Sequence, residues 1–460
     1  MRFNSYSVLV TENCNLACTY CYEVNSSGHK NRVMSVETAE AVVAFAVSEW
    51  AVDKKGDVVF SVFGGEPTLN VAAIEALLSA SRRAMEVNSG LHITFGMITN
   101  STVMNERLYD VFRYYNGMFN SVQLSIDGPA RVQDACRVQK DGSGSFALVE
   151  KNIPFWKALF GERLNIHGVL NSQTMGSLFE SFLFFREGWA VPKLWFLPAK
   201  DASFSPEDVA VYDRELGKIY DWVMSRVRAT KRLDEVNNYA PLDRSLRPVN
   251  ARPGKPCGAG ASYCSITSSG EIFPCHHFYF VDGKKETRLG DIFSGYNPGK
   301  KLIWDSYDAL DMRGCEGCDH AHCYRCVAEN YEHFGTPFSQ LKGLHCEFMR
   351  VDKKYQDMIR KEVQGMGLLK ENCGGDNGAC EGYVRDCVGK VGDCPVVVSV
   401  ADCKFDRKES AGHGDQAPPP FSAVSSPPAA DGVVITKDDV AAIDEAIGLL
   451  TKIYNRIASK

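Results

Sequence analysis

The sequence predicts an α/β protein whose N-terminal half is a partial (β/α)6 barrel. Six short β-like runs alternate with amphipathic helical stretches up to about residue 230. Repeated β-then-α units favour a parallel sheet with right-handed crossovers, either open or rolled into part of a barrel. Three polar motifs each follow a predicted strand, and the carboxyl ends of the strands are where such barrels carry their active sites. The predicted strands are 5–10, 57–62, 92–99, 121–126, 164–170 and 193–197.

The helical stretches show a clear apolar face, and the pattern changes after residue 230. In residues 36–50 the small and branched apolar side chains share one face with Trp50, and Ser35 is the predicted N-cap. Beyond 230 helical periodicity weakens and cysteines accumulate. The predicted organisation is a barrel (1–230), a cysteine-rich domain (231–365), a tail with a cysteine repeat (366–404), a disordered linker (405–435) and an amphipathic helix (436–460).

Composition narrows the class of protein. Of the 460 residues, 51 are Lys or Arg and 57 are Asp or Glu, which gives a net charge of −6, and no long basic run is present. Phosphate binding needs clustered positive charge, so a nucleic-acid partner is not expected. Neither a run of about 18 apolar residues nor a signal peptide is present, so we expect a cytoplasmic protein without membrane contact. Seventeen cysteines in a reducing compartment favour metal ligation over disulfides.

Three cysteines follow the first predicted strand. They are Cys14, Cys18 and Cys21, in the segment TENCNLACTYCYE. Thiolates are the preferred ligands of iron–sulfur clusters, and three of them leave one iron of a cubane cluster without a protein ligand. The alternative is a zinc site, but structural zinc requires four ligands.

This segment resembles the signature of the radical S-adenosylmethionine (SAM) enzymes, with the aromatic Tyr20 directly before Cys21. The resemblance implies a TIM-like partial barrel and a [4Fe–4S] cluster whose open iron is chelated by SAM. It also implies that one-electron cleavage of SAM yields a 5′-deoxyadenosyl radical, which abstracts an unactivated hydrogen.

Further segments match the same family in chain order. GGEP at 64–67 resembles the segment that holds the methionine amino group, and SIDGP at 125–129 resembles the ribose-binding segment. Each has an ordinary alternative, because such tetrapeptides and Asp-Gly-Pro are common in turns and an arginine is common at surfaces. The residues that the resemblance implies for SAM binding are Tyr20, Gly64, Gly65, Glu66, Asn100, Ser125, Asp127 and Arg137, of which Arg137 pairs with the ligand carboxylate.

A second group of eight cysteines resembles the SPASM domain of peptide-modifying radical SAM enzymes. Eight is the number that two four-cysteine clusters require, so we expect three [4Fe–4S] clusters in all. The Cys-x2-Cys-x4-Cys-x2-Cys run is tighter than the family form, which leaves the partition of ligands open, and zinc is the alternative metal. The resemblance implies one auxiliary cluster on Cys257, Cys264, Cys275 and Cys326 and another on Cys315, Cys318, Cys323 and Cys346.

The residue after the Gly-x4-Cys element bears on the substrate. In sulfatase maturases of this class that residue is an Asp that serves as a base, whereas this chain has His276. A histidine can deprotonate a thiol or amine near neutral pH, and its alternative role is that of an outer-sphere partner to a cluster. The substitution favours modification of a ribosomally made peptide, for example by a thioether crosslink. The alternative function is formylglycine generation in a sulfatase, and a non-catalytic electron-transfer protein is a rival of another class.

The C-terminal region adds hypotheses about partners. Cysteines recur every seven residues from Cys373 to Cys394, followed by Cys403, in a Gly-rich segment. This repeat is either a tethered substrate, a further metal site or a docking arm, and the terminal helix either packs on the body or binds a partner. We also expect an electron donor such as flavodoxin or ferredoxin. Because the first strand begins near residue 5, a separate leader-binding protein or the tail would recognise a peptide leader.

Overall fold

A single ten-stranded sheet contains both the barrel and part of the cysteine-rich region. Its order is β10-β9-β8-β7-β1-β2-β3-β4-β5-β6. Strands β1 to β6 are parallel to their neighbours, β7 is parallel to β1, and β7 to β10 are antiparallel to one another. The strands are β1 (Ser5–Thr11), β2 (Val58–Gly64), β3 (Ile93–Thr99), β4 (Phe119–Ser125), β5 (Leu164–Leu170), β6 (Lys193–Pro198), β7 (Tyr263–Ile266), β8 (Glu271–Phe273), β9 (Gly290–Asp291) and β10 (Gly295–Tyr296).

The computed structural model describes residues 2–23, 31–199, 204–246, 257–280, 284–306, 326–337 and 343–369. The predicted tail, linker and terminal helix lie outside these residues. Among the helices that are described, none combines the length and the apolar character that a membrane crossing requires. The helices are α1 (Val36–Ala51), α2 (Val71–Val87), α3 (Glu106–Tyr114), α4 (Ala130–Cys136), α5 (Phe146–Phe160), α6 (Leu178–Leu183), α7 (Pro206–Thr230), α8 (Asp234–Asn237), α9 (Ala240–Asp243), α10 (His276–Phe280), α11 (Lys284–Thr287), α12 (Pro298–Ser306), α13 (Val327–Phe334) and α14 (Leu344–Gly365).

The main core lies between the parallel strands and the helices that cover their outer face. Aromatic side chains continue across neighbouring strands, with ring centroids 5.5 Å apart for Tyr6 and Phe60 and 5.4 Å apart for Phe60 and Phe95. Phe45 of α1 and Phe112 of α3 cover this row from the helix layer. In β2, β3 and β5, buried residues alternate with partly buried ones, because successive side chains point to opposite faces of the sheet. The partly buried set therefore faces the interior of the barrel.

The structure confirms the predicted barrel strands to within one or two residues at most ends, and it confirms the first helix and its cap. The Ser35 side chain accepts a hydrogen bond from the backbone N–H of Thr38, which satisfies one of the free donors of the first turn. The sequence did not indicate that β7 would pair with β1. A strand of four residues carries too little periodicity to predict a partner, and the pairing joins segments more than 250 residues apart.

The turn before β7 packs tightly against α12. The Lys301 ammonium is buried and donates hydrogen bonds to the Ala261 carbonyl at 2.7 Å and to Asp305 at 2.6 Å. Gly260 has φ +68°, and a Cβ built there lies 2.3 Å from Cγ of Trp304. Glycine is therefore required at this position both by the backbone and by the close approach of the indole.

We predict that Gly260→Ala destabilises the protein by about 1–3 kcal/mol more than Gly56→Ala, because only the former overpacks a neighbouring side chain. Gly56 is a matched control, since it has the same φ of +68° but a Cβ added to it would have nothing within 4 Å. Urea unfolding of both variants measures the difference. Equal losses of unfolding free energy would contradict the contact with Trp304.

Candidate active site

The loop that carries Cys14, Cys18 and Cys21 follows β1 and is held by the last residue of α4 and the segment after it. The backbone N–H of Ala17 donates to the Val138 carbonyl at 2.8 Å, and that of Thr19 donates to the Cys136 carbonyl at 2.9 Å. All three cysteines are partly exposed. The loop is therefore fixed through its backbone while its thiols stay accessible to a metal.

The two glycines after β2 lie directly against this loop. A Cβ at Gly64 would lie 2.1 Å from the Thr11 carbonyl oxygen, and one at Gly65 would lie 2.5 Å from that of Asn13. The Gly65 N–H donates to the Thr11 carbonyl and the Glu66 N–H donates to the Asn13 carbonyl, at 3.0 and 2.8 Å. The Gly-Gly pair thus allows a backbone-to-backbone contact that any side chain would prevent.

The Glu66 carboxylate is fully buried and bonded entirely within the protein. Its Oε1 accepts hydrogen bonds from the Thr68 N–H, the Thr68 hydroxyl and the Thr99 hydroxyl at 3.1, 2.6 and 2.7 Å. Its Oε2 accepts one from the Asn100 N–H at 2.6 Å. Burial raises the pKa of Glu66, and these hydrogen bonds oppose that rise by stabilising the charged form. Glu66 therefore ties the end of β2 to the end of β3.

Asn100, after β3, closes a ring of hydrogen bonds with the cysteine loop. Its Nδ2 donates to Asn15 Oδ1 at 2.9 Å, Asn15 Nδ2 donates to the Thr102 hydroxyl at 2.8 Å, and that hydroxyl donates to Asn100 Oδ1 at 2.6 Å. The same Asn100 Nδ2 lies 3.8 Å from Cys14 Sγ, and the Leu16 N–H lies 3.4 Å from it. Two N–H donors thus point at the sulfur of Cys14.

The donor set fits an iron–sulfur cluster. Burial raises the pKa of Cys14 to about 12, with Glu66 as the next cause, and burial raises that of Cys18 to about 11 against the opposing charge of Arg137. Metal binding must therefore displace protons from these thiols. N–H donors aimed at a sulfur stabilise the thiolate that results, as they do around protein-bound clusters.

Tyr20, Asp127 and Arg137 form one buried cluster beside the loop. The Arg137 Nε donates to Asp127 Oδ1 at 3.0 Å, and the Tyr20 hydroxyl donates to Asp127 Oδ2. The guanidinium also lies over the Tyr20 ring, 5.4 Å from its centroid. Burial opposes the charged guanidinium and lowers its pKa, but Asp127, Tyr20 and Cys18 together outweigh burial, so the pKa of Arg137 is raised. Ser125 ends β4 nearby and is partly buried.

His276, the first residue of α10, lies against the carboxyl end of the barrel. Its ring centroid is 4.6 Å from that of Phe63, the residue before Gly64, and its Nδ1 lies 3.1 Å from the Tyr263 hydroxyl. The next residue, His277, stacks on Tyr22 with centroids 4.1 Å apart. Both histidines therefore neighbour the elements that carry the predicted SAM site.

The other predicted cluster cysteines are only partly within the described residues. Cys257 is exposed, Cys264 and Cys275 are buried, and Cys326 and Cys346 are partly exposed. Cys136, which belongs to neither predicted cluster, is buried and accepts a hydrogen bond from Asn171 Nδ2 at 3.0 Å. The remaining three, Cys315, Cys318 and Cys323, lie outside the described residues.

Sequence reasoning missed several residues that position this site. Thr99 binds Glu66, Asn15 and Thr102 complete the ring with Asn100, and Tyr22 contacts both histidines. A run of four polar residues, Thr99 to Thr102, directly after an apolar strand was the available signal. Its partners Glu66 and Asn15 lie more than 30 and more than 80 positions away in sequence and cannot be read from the run itself.

We predict that Asn100→Ala shifts the midpoint potential of the cluster on Cys14, Cys18 and Cys21 to a more negative value. A hydrogen bond to a ligand sulfur stabilises the more electron-rich reduced cluster, so its loss disfavours reduction. A redox titration of the reconstituted chain, followed by electron paramagnetic resonance (EPR), measures the shift. Thr102→Val is the control, because it removes a hydroxyl from the ring but keeps the N–H donor toward Cys14. An unchanged potential in Asn100→Ala would show that this contact has no electronic effect.

Comparison with known proteins agrees with this geometry. The family model described as "Radical SAM superfamily" matches residues 8–163. The chain is 27% identical over 345 residues to the cysteine-type anaerobic sulfatase-maturating enzyme of Clostridium novyi, which covers 68% of this chain and 85% of that protein. It is 26% identical over 321 residues to the antilisterial bacteriocin subtilosin biosynthesis protein AlbA of Bacillus subtilis, and this match covers 65% of this chain and 58% of AlbA.

A solved structure shares the fold. It is that of anSMEcpe with bound AdoMet and Cp18Cys peptide, which superposes with a TM-score of 0.61 at 21% identity and covers 79% of this chain and 99% of that one. The cysteine loop, the strand-end motifs that surround it, the partial barrel and the matching family model lead to one assignment. Residues 8–163 of the chain are a radical SAM domain, and the enzymes of that superfamily use a [4Fe–4S] cluster and SAM.

Proposed function

We propose that this enzyme modifies a ribosomally made peptide after translation by abstracting a hydrogen atom from one of its side chains. The observation that carries the proposal is the position of His276 at the carboxyl end of the barrel, against Phe63 and beside Tyr22. A group able to accept a proton there neighbours both the cysteine loop and the Gly-Gly segment. A thioether crosslink or a related oxidation is the chemistry that we expect.

The chain's own residues would hold the cofactors as follows. Cys14, Cys18 and Cys21 ligate the cluster, and the bound cluster with SAM supplies one-electron cleavage and hydrogen abstraction. Ser125 and Asp127 bind the ribose, and Arg137 pairs with the carboxylate of the methionine moiety. The buried Asp127–Arg137 ion pair, with side chains 0% and 8% exposed, supports this role, since a preformed guanidinium in a desolvated site binds carboxylate strongly.

Glu66 contributes by positioning rather than by direct contact. Both of its carboxylate oxygens already accept hydrogen bonds from Thr68, Thr99 and Asn100. Gly64 and Gly65 bring the backbone close to the cysteine loop, which leaves their peptide groups at the site where the methionine moiety would lie. Rigid strand ends then hold the reacting groups in place.

His276 is proposed as the base that removes a proton from the substrate thiol or amine. The Tyr263 hydroxyl at Nδ1 and the Phe63 ring orient the imidazole. Imidazole titrates near neutral pH, so it can accept this proton under cytoplasmic conditions. The electron left after oxidation of the substrate would pass to auxiliary clusters in the cysteine-rich region, and a flavodoxin or ferredoxin would supply electrons to the first cluster.

Formylglycine generation in a sulfatase is the second candidate function. The similar protein from Clostridium novyi is named for sulfatase maturation, and the match includes 85% of its length. Against it stands His276 in place of the expected Asp, although both side chains can act as a base. AlbA, named for the biosynthesis of a bacteriocin, favours the peptide substrate.

Anaerobic turnover with two kinds of substrate tests the proposal. The reconstituted full chain, SAM and reductant are incubated either with short Cys-rich peptides from genes near its own or with a peptide carrying a sulfatase maturation sequence. A crosslinked peptide loses two hydrogens and keeps its sulfur, whereas formylglycine formation from cysteine removes the sulfur. Mass spectrometry distinguishes these products, and a tryptic digest of the enzyme reports on the residues from Cys373 to Cys403. Failure to release 5′-deoxyadenosine would contradict the proposed radical chemistry altogether.

We predict that His276→Gln lowers product formation by about 100-fold or more, the usual cost of losing a general base. Release of 5′-deoxyadenosine should continue, because the cofactor residues are unchanged. His276→Asp should restore part of the product yield, and His92→Gln, at a side chain that is 61% exposed, is the control. Full product yield in His276→Gln would exclude this residue as the base.

A further inference from the structure

Cys264 faces the outer side of the sheet, away from Cys275, although the sequence predicts both as ligands of one auxiliary cluster. The sequence places Cys257, Cys264, Cys275 and Cys326 on one auxiliary cluster. The four sulfurs of such a set must converge on a single cluster. The side-chain directions of Cys264 and Cys275 therefore test the grouping.

The register of β7 against β1 fixes the direction of Cys264. Tyr6 pairs with Cys264 in this parallel ladder, so the two side chains lie on the same face. Tyr6 packs edge-on against Phe45 of α1, with centroids 6.3 Å apart, and tilts against Phe60. Cys264 consequently faces the helix layer outside the barrel.

The surroundings of Cys264 agree with this direction. The residue is completely buried, and burial raises the pKa of its thiol. The charged groups that act on the thiol are Glu49 of α1 and Lys301 of α12, both on the outer side. Tyr296 lies in the same region, because its hydroxyl donates a hydrogen bond to the Glu49 carboxylate at 3.1 Å.

Cys275 follows β8 on the barrel side. Strands β7 and β8 are antiparallel, with Ser265 paired to Phe273, so Phe273 lies on the face opposite to that of Cys264. Cys275 comes two residues after Phe273, beyond the end of β8, and the next residue, His276, contacts Phe63 and Tyr22. Tyr263 precedes Cys264 in β7, so its side chain points the other way, where its hydroxyl meets His276.

We infer that Cys264 is not a ligand of an iron–sulfur cluster and instead fills the seam between β7 and the outer helices. The sheet itself separates it from Cys275 and from the barrel interior. Seven cysteines of the second group then remain for auxiliary clusters, one fewer than two fully cysteine-ligated cubanes require. The eighth coordination position is then filled by a residue outside this set or has no protein ligand. This inference rests on the auxiliary clusters of the proposed function.

Iron counting on cysteine variants of the full chain tests the inference. The native chain, Cys264→Ala and Cys275→Ala are reconstituted anaerobically, and iron per chain and the EPR spectrum of the reduced protein are compared. Cys264→Ala should keep the native iron content and spectrum, whereas Cys275→Ala should lose about four iron atoms, one cubane cluster. Circular dichroism checks folding, and Cys264→Val, which keeps the buried volume without a thiol, replaces the alanine variant if that variant fails to fold.

Two outcomes would overturn the inference, and they differ in what they say of the proposed function. A folded Cys264→Ala or Cys264→Val that loses as much iron as Cys275→Ala would show that Cys264 is a ligand, and the auxiliary cluster would stand. Native iron content in Cys275→Ala would show that Cys275 does not ligate an auxiliary cluster, and the proposed set of seven cysteine ligands would be wrong. The radical chemistry at Cys14, Cys18 and Cys21 would then still be judged by release of 5′-deoxyadenosine.

Discussion

The site depends on one buried carboxylate at the carboxyl ends of three parallel strands. Glu66 is fully buried, yet four donors from Thr68, Thr99 and Asn100 surround its oxygens. A buried carboxylate with such partners is costly to move, because each lost donor leaves a desolvated charge. The backbone N–H of the same residue holds the Asn13 carbonyl of the cysteine loop. Loop, β2 and β3 are thus joined at the point where the cluster would bind.

A second constraint comes from the pairing of β7 with β1. Because β1 carries the cysteine loop and β7 leads through β8 to α10, this ladder places His276 beside the loop. Stacking of His277 on Tyr22 adds a contact between the two regions. The same ladder sends Cys264 to the outer face. One pairing therefore determines both which residue reaches the site and which cysteine is kept away from it.

Much of the barrel was predictable, because its signals are local. Buried parallel strands give continuous apolar runs, and the apolar residues of amphipathic helices such as α1 recur every 3.6 residues. The existence and approximate bounds of these strands and helices therefore follow from the pattern. Gly64, Asp127 and Arg137 were predicted from sequence as site residues through the resemblance to the family motifs, and the structure brings them close to the cysteine loop. The ring of Asn15, Asn100 and Thr102 was not predicted, since a polar residue does not indicate which distant partner it binds.

The amino-acid sequence by itself indicated the family, because the loop with Cys14, Cys18 and Cys21 and the motifs after successive strands resemble those of radical SAM enzymes. It also determined the order of the β–α units. Only the tertiary structure decided which side chains meet, since strand pairing and side-chain alternation depend on register between segments more than 250 residues apart. Cys264 shows the reason: its position in the sequence does not reveal which face of the sheet it occupies, and the pairing of β7 with β1 decides it.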